Sequence, residues 1–137
     1  MNIVIEENLA IVEVSEFVNQ FKIKPCEEQE VKDLYPEVIL AVQFGLMVLK
    51  TKEKPEFKLK EPVKNLENEV SLDSVSFKTR IVASEQRKLS AGLDLKKEPL
   101  LFGHKCMAYI IGQPLIMLDK FCPFDYKVIE QMSTLFL

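Results

Sequence analysis

Few residues in this chain are equipped to do chemistry. One histidine, His104, stands two positions before Cys106 in "FGHKC", and both are metal-ligand types. On a helix, positions two apart point about 200° from each other, so the pair cannot easily share one ion. The three cysteines, Cys26, Cys106 and Cys122, are odd in number and show no CxxC spacing, which predicts reduced thiols and a cytosolic address. Asp119 and Asp125 flank a turn six residues apart and have the residue types of a catalytic carboxylate pair. A helix-capping role for Asp125 and solvation of Asp119 account for both more simply. Ser84 and Ser90 sit in no nucleophile motif, and the four glycines form no phosphate-cradling loop. Acid, base and nucleophile sets need convergent partners, so the expectation is a protein that is not an enzyme and holds no metal or cofactor.

The elements that would position these residues predict an α+β fold, with small hairpin or sheet elements and a mostly helical C-terminal half. Ile3 and Ile5, then Ile11 and the stretch from Val12 to Val14, are spaced like short strands around an "EEN" turn. Ser15 is placed to cap a short helix through Phe21, and Pro25 breaks the chain. From Glu27, Val31, Leu34, Tyr35, Val38, Ile39, Val42, Leu46 and Leu49 recur at helical steps, with Pro36 marking a first turn or a kink. Residues 50–69 mix both charge signs with Pro55 and Pro62, a solvated connector or edge strand in which Phe57, Leu59 and Val63 hint at a strand. Then Val75, Phe77, Thr79 and Ile81 alternate with polar residues as a strand with one buried face.

Helical signals follow. Ser84 is a plausible cap for a helix running toward Gly92. Pro99 opens the next helix, with Leu100, Leu101, His104, Met107, Ala108 and Ile111 on one face and Gly112 closing it. "PLIML" after Pro114 makes another short helix. Asp125 is placed to cap a last helix carrying Val128, Ile129, Met132, Leu135 and Phe136.

At 137 residues, 47% apolar and a net charge of −3, the chain can bury a core without disulfides or metals. Its charge gives no support to nucleic-acid binding. The longest nearly uncharged stretch, residues 107–118, is too short to cross a bilayer, and "MNIVIEENLA" lacks the features of a signal peptide. The expectation is a protein of the cytoplasm with neither nucleic acid nor membrane as partner. Residues 1–137 are expected to share one core and form a single domain, with residues 1–56 an added N-terminal α+β part.

Residues 57–137 carry a family resemblance. The order "KLKEPVKNLENEVSLDSVSFKTRIVASEQRKL", then "MAYIIGQPLIMLDKF", then "FDYKVIEQMSTLFL" resembles the tail assembly chaperones of tailed bacteriophages. The family's closing pattern of leucine, spacer, aspartate, apolar helix and phenylalanine maps to Leu118, Asp125, Val128 and Phe136. Where the family usually has a proline-threonine pair after its strand, this chain has Val82, Ala83 and Ser84. Residues 1–56 have no counterpart in the pattern. The resemblance implies a binding protein of the host cytoplasm that coats the helical tape-measure protein until tail tube subunits displace it, and it implies homo-oligomerisation. The groove residues expected for such a partner are Leu100, Leu101, Met107, Ile110, Ile111, Leu115 and Met117, in a stretch whose methionines suit an adaptable surface. Two other classes fit the same apolar faces: a structural tail or baseplate subunit, and a small regulatory protein that binds a host factor.

Overall fold

Proline sets where three of the helices begin, because a helix's first turn has no use for the missing N–H. In the computed structural model, which describes residues 1–50 and 54–136, Pro36, Pro99 and Pro123 each occupy the first helical turn. The helices are α1 (Glu7–Asn19), α2 (Glu28–Leu34), α3 (Pro36–Gln43), α4 (Ala83–Ser90), α5 (Pro99–Ile111) and α6 (Pro123–Thr134), with a 3-10 helix at Leu115–Lys120. Between α3 and α4 lie the antiparallel strands β1 (Glu56–Lys64) and β2 (Val70–Ser76). The fold is α+β. Of the expected connector, residues 51–53 lie outside the described residues, as does Leu137.

The N-terminal strands expected from Ile3, Ile5, Ile11 and Val12 to Val14 are not there: residues 7–19 are helical. Ala10, Ile11, Val14, Phe17 and Val18 all face inward, a helical repeat that the density of β-branched residues masks in the sequence. Packing of α1 on α2 and α3 overrides that local preference. Ser15 consequently lies buried inside α1 and caps nothing. The single apolar face expected from Glu27 to Leu49 is divided by Pro36 into α2 and α3, and Leu46 and Leu49 fall beyond the helix. Leu34 points outward. The second strand stops at Ser76, although Phe77 and Ile81 remain buried beyond it. Ser84 lies within α4, with Val82 at the cap position.

In the hairpin, Phe57 pairs with Val75 and Val63 with Leu72, and β1 carries extra residues between Lys58 and Val63. Pro62 falls in this irregular stretch, where a strand tolerates the loss of an N–H. The amides freed there find Asp125, which is fully buried. Its Oδ1 accepts from the Lys60 N–H at 2.9 Å and its Oδ2 from the Glu61 N–H at 3.1 Å. Asp125 therefore ties α6 to the strand. The cap of α6 is Cys122, whose Sγ accepts from the Asp125 N–H at 3.4 Å.

Three other long-range contacts do similar work. Gln131 Oε1 accepts from the N–H groups of Glu37 and Val38 at 3.1 and 3.2 Å, and its Nε2 donates to the Glu37 carboxylate. A side chain of α6 thus supplies the cap that Tyr35 leaves unmade at the start of α3. Buried Glu13 of α1 accepts from the Leu49 N–H at 2.8 Å. Lys78 Nζ donates to the Tyr109 carbonyl at 2.8 Å near the C-terminal end of α5, the favourable end for a cation.

One apolar cluster runs from Ala10 to Phe136 and includes Val38, Phe57, Phe77, Ile110 and Met132. The rings of Phe17 and Phe21 on the N-terminal side pack edge-on against Phe136 of the C-terminal end. Residues 1–56 and 57–136 are thus joined through a common interior.

Candidate apolar crevice

Helix α5 changes character along its length rather than around it. From Leu100 to Lys105 no residue is fully buried, whereas Cys106, Met107, Ala108, Ile110 and Ile111 are. Pro99 starts the helix, and Gly112, at φ 66°, ends it in a left-handed conformation that other residues adopt at a cost. The outer half of α5 therefore offers side chains to solvent while the inner half anchors it. After Pro114 the 3-10 helix buries Leu118 and leaves Leu115 and Ile116 outside. Helix α6 adds Tyr126.

These elements enclose two hollows that share His104 as a wall. The larger, of about 440 Å³, is lined by Leu101, His104, Leu115, Ile116, Leu118 and Asp119. The smaller, of about 190 Å³, lies between α5 and α6, with Leu100, Gly103, Met107, Tyr126 and Glu130 among its walls. Leu100 is 71% exposed and Ile116 is 64% exposed. Large apolar side chains left outside beside apolar hollows are the usual mark of a protein-binding surface.

The polar part of the crevice is small. His104 Nε2 and the Tyr126 hydroxyl lie 3.1 Å apart, with the rings edge to face. Burial above all, and then the negative charges of Glu130 and Asp119, push the Tyr126 phenol above its usual range. It stays protonated at neutral pH and shares a hydrogen bond with His104. Among the described residues, no three His, Cys, Asp or Glu side chains converge as metal ligands, and His104 and Cys106 part ways, one to the crevice and one to the core. Burial raises the Cys106 thiol, so it is a poor nucleophile. The arrangement offers apolar contact and one hydrogen-bonded pair.

The expected groove residues divide. Leu100 and Leu115 are exposed, and Leu101 and Met117 are half-buried. Ile110 and Ile111 are core residues that line neither hollow, and the groove role expected for them is corrected: helical spacing marks the apolar face, but the plunge of α5 into the core decides which of its residues reach the surface. Met107 is buried and still forms part of the wall of the smaller hollow. Ile116, His104 and Tyr126 were not among the expected set. Ile116 sits beside Leu115 in the same apolar run, so its signal was present. The His104–Tyr126 pair spans 22 residues and leaves no trace in local spacing. Leu118, Asp125, Val128 and Phe136, which carry the family pattern, are all buried, and Leu118 also lines the larger hollow.

Compared with protein-family models, with curated proteins and with solved structures, the chain matches none of them. No helix among the described residues is long and apolar enough to cross a membrane.

Gly103 gives the crevice a direct test. It lies inside α5 and lines the smaller hollow, and a Cβ built there meets no atom within 4 Å. Alanine in a helix interior is favoured over glycine by about 1 kcal/mol. Gly103→Ala is expected to raise stability by up to about that amount while narrowing the hollow. Thermal melts check the first effect and partner affinity the second; a loss of stability would mean the space is not open.

Proposed function

We propose that this chain is a non-enzymatic binding protein whose α5, 3-10 helix and α6 surface receives the apolar stripe of a helical partner. The partner is the tape-measure protein of a phage tail, held transiently in the host cytoplasm until tube subunits take its place. The observation that carries the reading is the convergence of exposed Leu100, Leu115 and Ile116 on two hollows that meet at His104. An amphipathic helix presents side chains at i, i+3, i+4 and i+7, and neighbouring apolar hollows accept such a series. The tape-measure identity and the oligomeric habit come from the resemblance of residues 57–137 to tail assembly chaperones. A shallow surface suits a partner that must later be released, because small interfaces are characteristic of transient complexes.

Co-expression with helical fragments of a phage tape-measure protein tests the proposal. Wild-type protein is expected to co-purify with a fragment, and the double variant Leu100→Asp, Ile116→Asp to lose at least about tenfold in retention, as loss of central apolar anchors does. Retention unchanged in that variant would place the binding elsewhere. Stoichiometric protein in finished virions would favour a permanent tail or baseplate subunit.

A further inference from the structure

Residues 1–56 take no part in that surface, and they carry an apolar hollow of their own. It measures about 460 Å³ and lies where residues 4–6 run beside α1. Val4, Leu9 and Val12 line it together with the charged Glu6, Glu13, Glu16 and Lys50. Val4 is 69% exposed and Leu9 61%. Leu9, Val12 and Glu16 follow one another at helical steps on the side of α1 away from buried Ala10, Val14, Phe17 and Val18. An ordinary outward helix face is polar.

The charges of this hollow are unbalanced. Lys50 Nζ lies 3.8 Å from the carboxylate of Glu13, the buried side chain that also accepts from the Leu49 N–H. That leaves Glu6 and Glu16, which pair with no cation among the described residues. The backbone of residues 4 and 5 is already committed, because the N–H groups of Val4 and Ile5 both donate to the Gln43 carbonyl, at 2.7 and 3.2 Å. A strand adding to this segment would find those two donors taken, which favours an occupant that engages through side chains.

We propose that the hollow between α1 and residues 4–6 is a second docking site, independent of the tape-measure reading, for an amphipathic helix of a partner protein. That helix carries leucine-sized side chains on one face and Lys or Arg at its flanks. The apolar face fills the space beside Val4, Leu9 and Val12, and the flanking cations meet Glu6 and Glu16. The same carboxylates repel an anionic lipid surface. The N-terminal part thereby adds a basic helical partner to the one received by α5 and α6.

The test uses the full chain and two labelled synthetic peptides of about 18 residues, long enough to hold a helix. Both place leucines at helical spacing; one has lysine flanks and the other glutamate flanks. The lysine peptide is expected to bind at least about tenfold more tightly, with amide shift changes centred on Val4, Leu9 and Val12. Leu9→Ser is expected to weaken it about tenfold with an unchanged melting curve, and Glu6→Lys with Glu16→Lys to reverse the preference between peptides. Equal affinity for the two peptides, no binding of either at about 100 μM, or shift changes at the α5 and α6 crevice would each overturn the proposal. So would self-association abolished by Leu9→Ser, which would make a second copy the occupant. Binding to phosphatidylglycerol vesicles lost in the same variant would point instead to a membrane.

Discussion

Ile110→Asp is expected to leave no folded protein at room temperature, while Ile116→Asp melts like the wild type. Ile110 is fully buried on α5, and Ile116 is mostly exposed on the 3-10 helix that follows. The first change forfeits about 2–3 kcal/mol of apolar burial and places a carboxylate at a fully buried position, at a cost of several kcal/mol more. Together these approach the whole stability of a domain, about 5–15 kcal/mol. The second alters a side chain already in water, where substitutions usually stay within about 0.5 kcal/mol. Circular dichroism with thermal melts measures both. A folded Ile110→Asp protein would mean that α5 does not enter the core as described.

Asp125→Ala is expected to cost about 3 kcal/mol, a fall in Tm on the order of 10 °C for a chain of this length. Each hydrogen bond from Lys60 and Glu61 ends on a charged acceptor, and such bonds contribute about 1.5–3 kcal/mol apiece. The sum is discounted because the donor residues lie at the surface, where water can replace the lost acceptor. Asp125→Asn keeps one acceptor but turns an amide N–H₂ toward a backbone N–H, so an intermediate loss is expected. Amide exchange offers a local readout: the Lys60 and Glu61 protons should exchange faster in both variants. A loss below about 1 kcal/mol, within the range of an ordinary neutral hydrogen bond, would contradict the tie between α6 and β1.

That tie also marks the limit of what the sequence made legible. Pro99 and Gly112 bound α5 where expected, and the repeat of Val128, Ile129 and Met132 marks α6, because caps and periodicity are local signals. The hairpin was legible in part, through Phe57, Leu59, Val63 and Val75. Asp125 was misread because an aspartate near a helix start usually caps it, and its partners lie 64 and 65 residues away. Gln131 reaches 93 and 94 residues to α3, a distance across which spacing says nothing. Helix α1 was lost to the opposite error, local β propensity taken over a helical repeat that packing alone rewards. For the crevice, the apolar residues were legible but their depth was not: Leu100 and Ile110 are both apolar residues of one helix, and only the direction of α5 relative to the core separates them.

The surface claim can be tested at single residues by replacing Leu100, Ile116 and, as a control, Lys64 on β1 with a photocrosslinking phenylalanine derivative in cells that also make the tape-measure protein. Crosslinks to the tape-measure protein from positions 100 and 116, and none from position 64, are the predicted result. Crosslinks absent from positions 100 and 116 while the two proteins still co-purify would contradict the account.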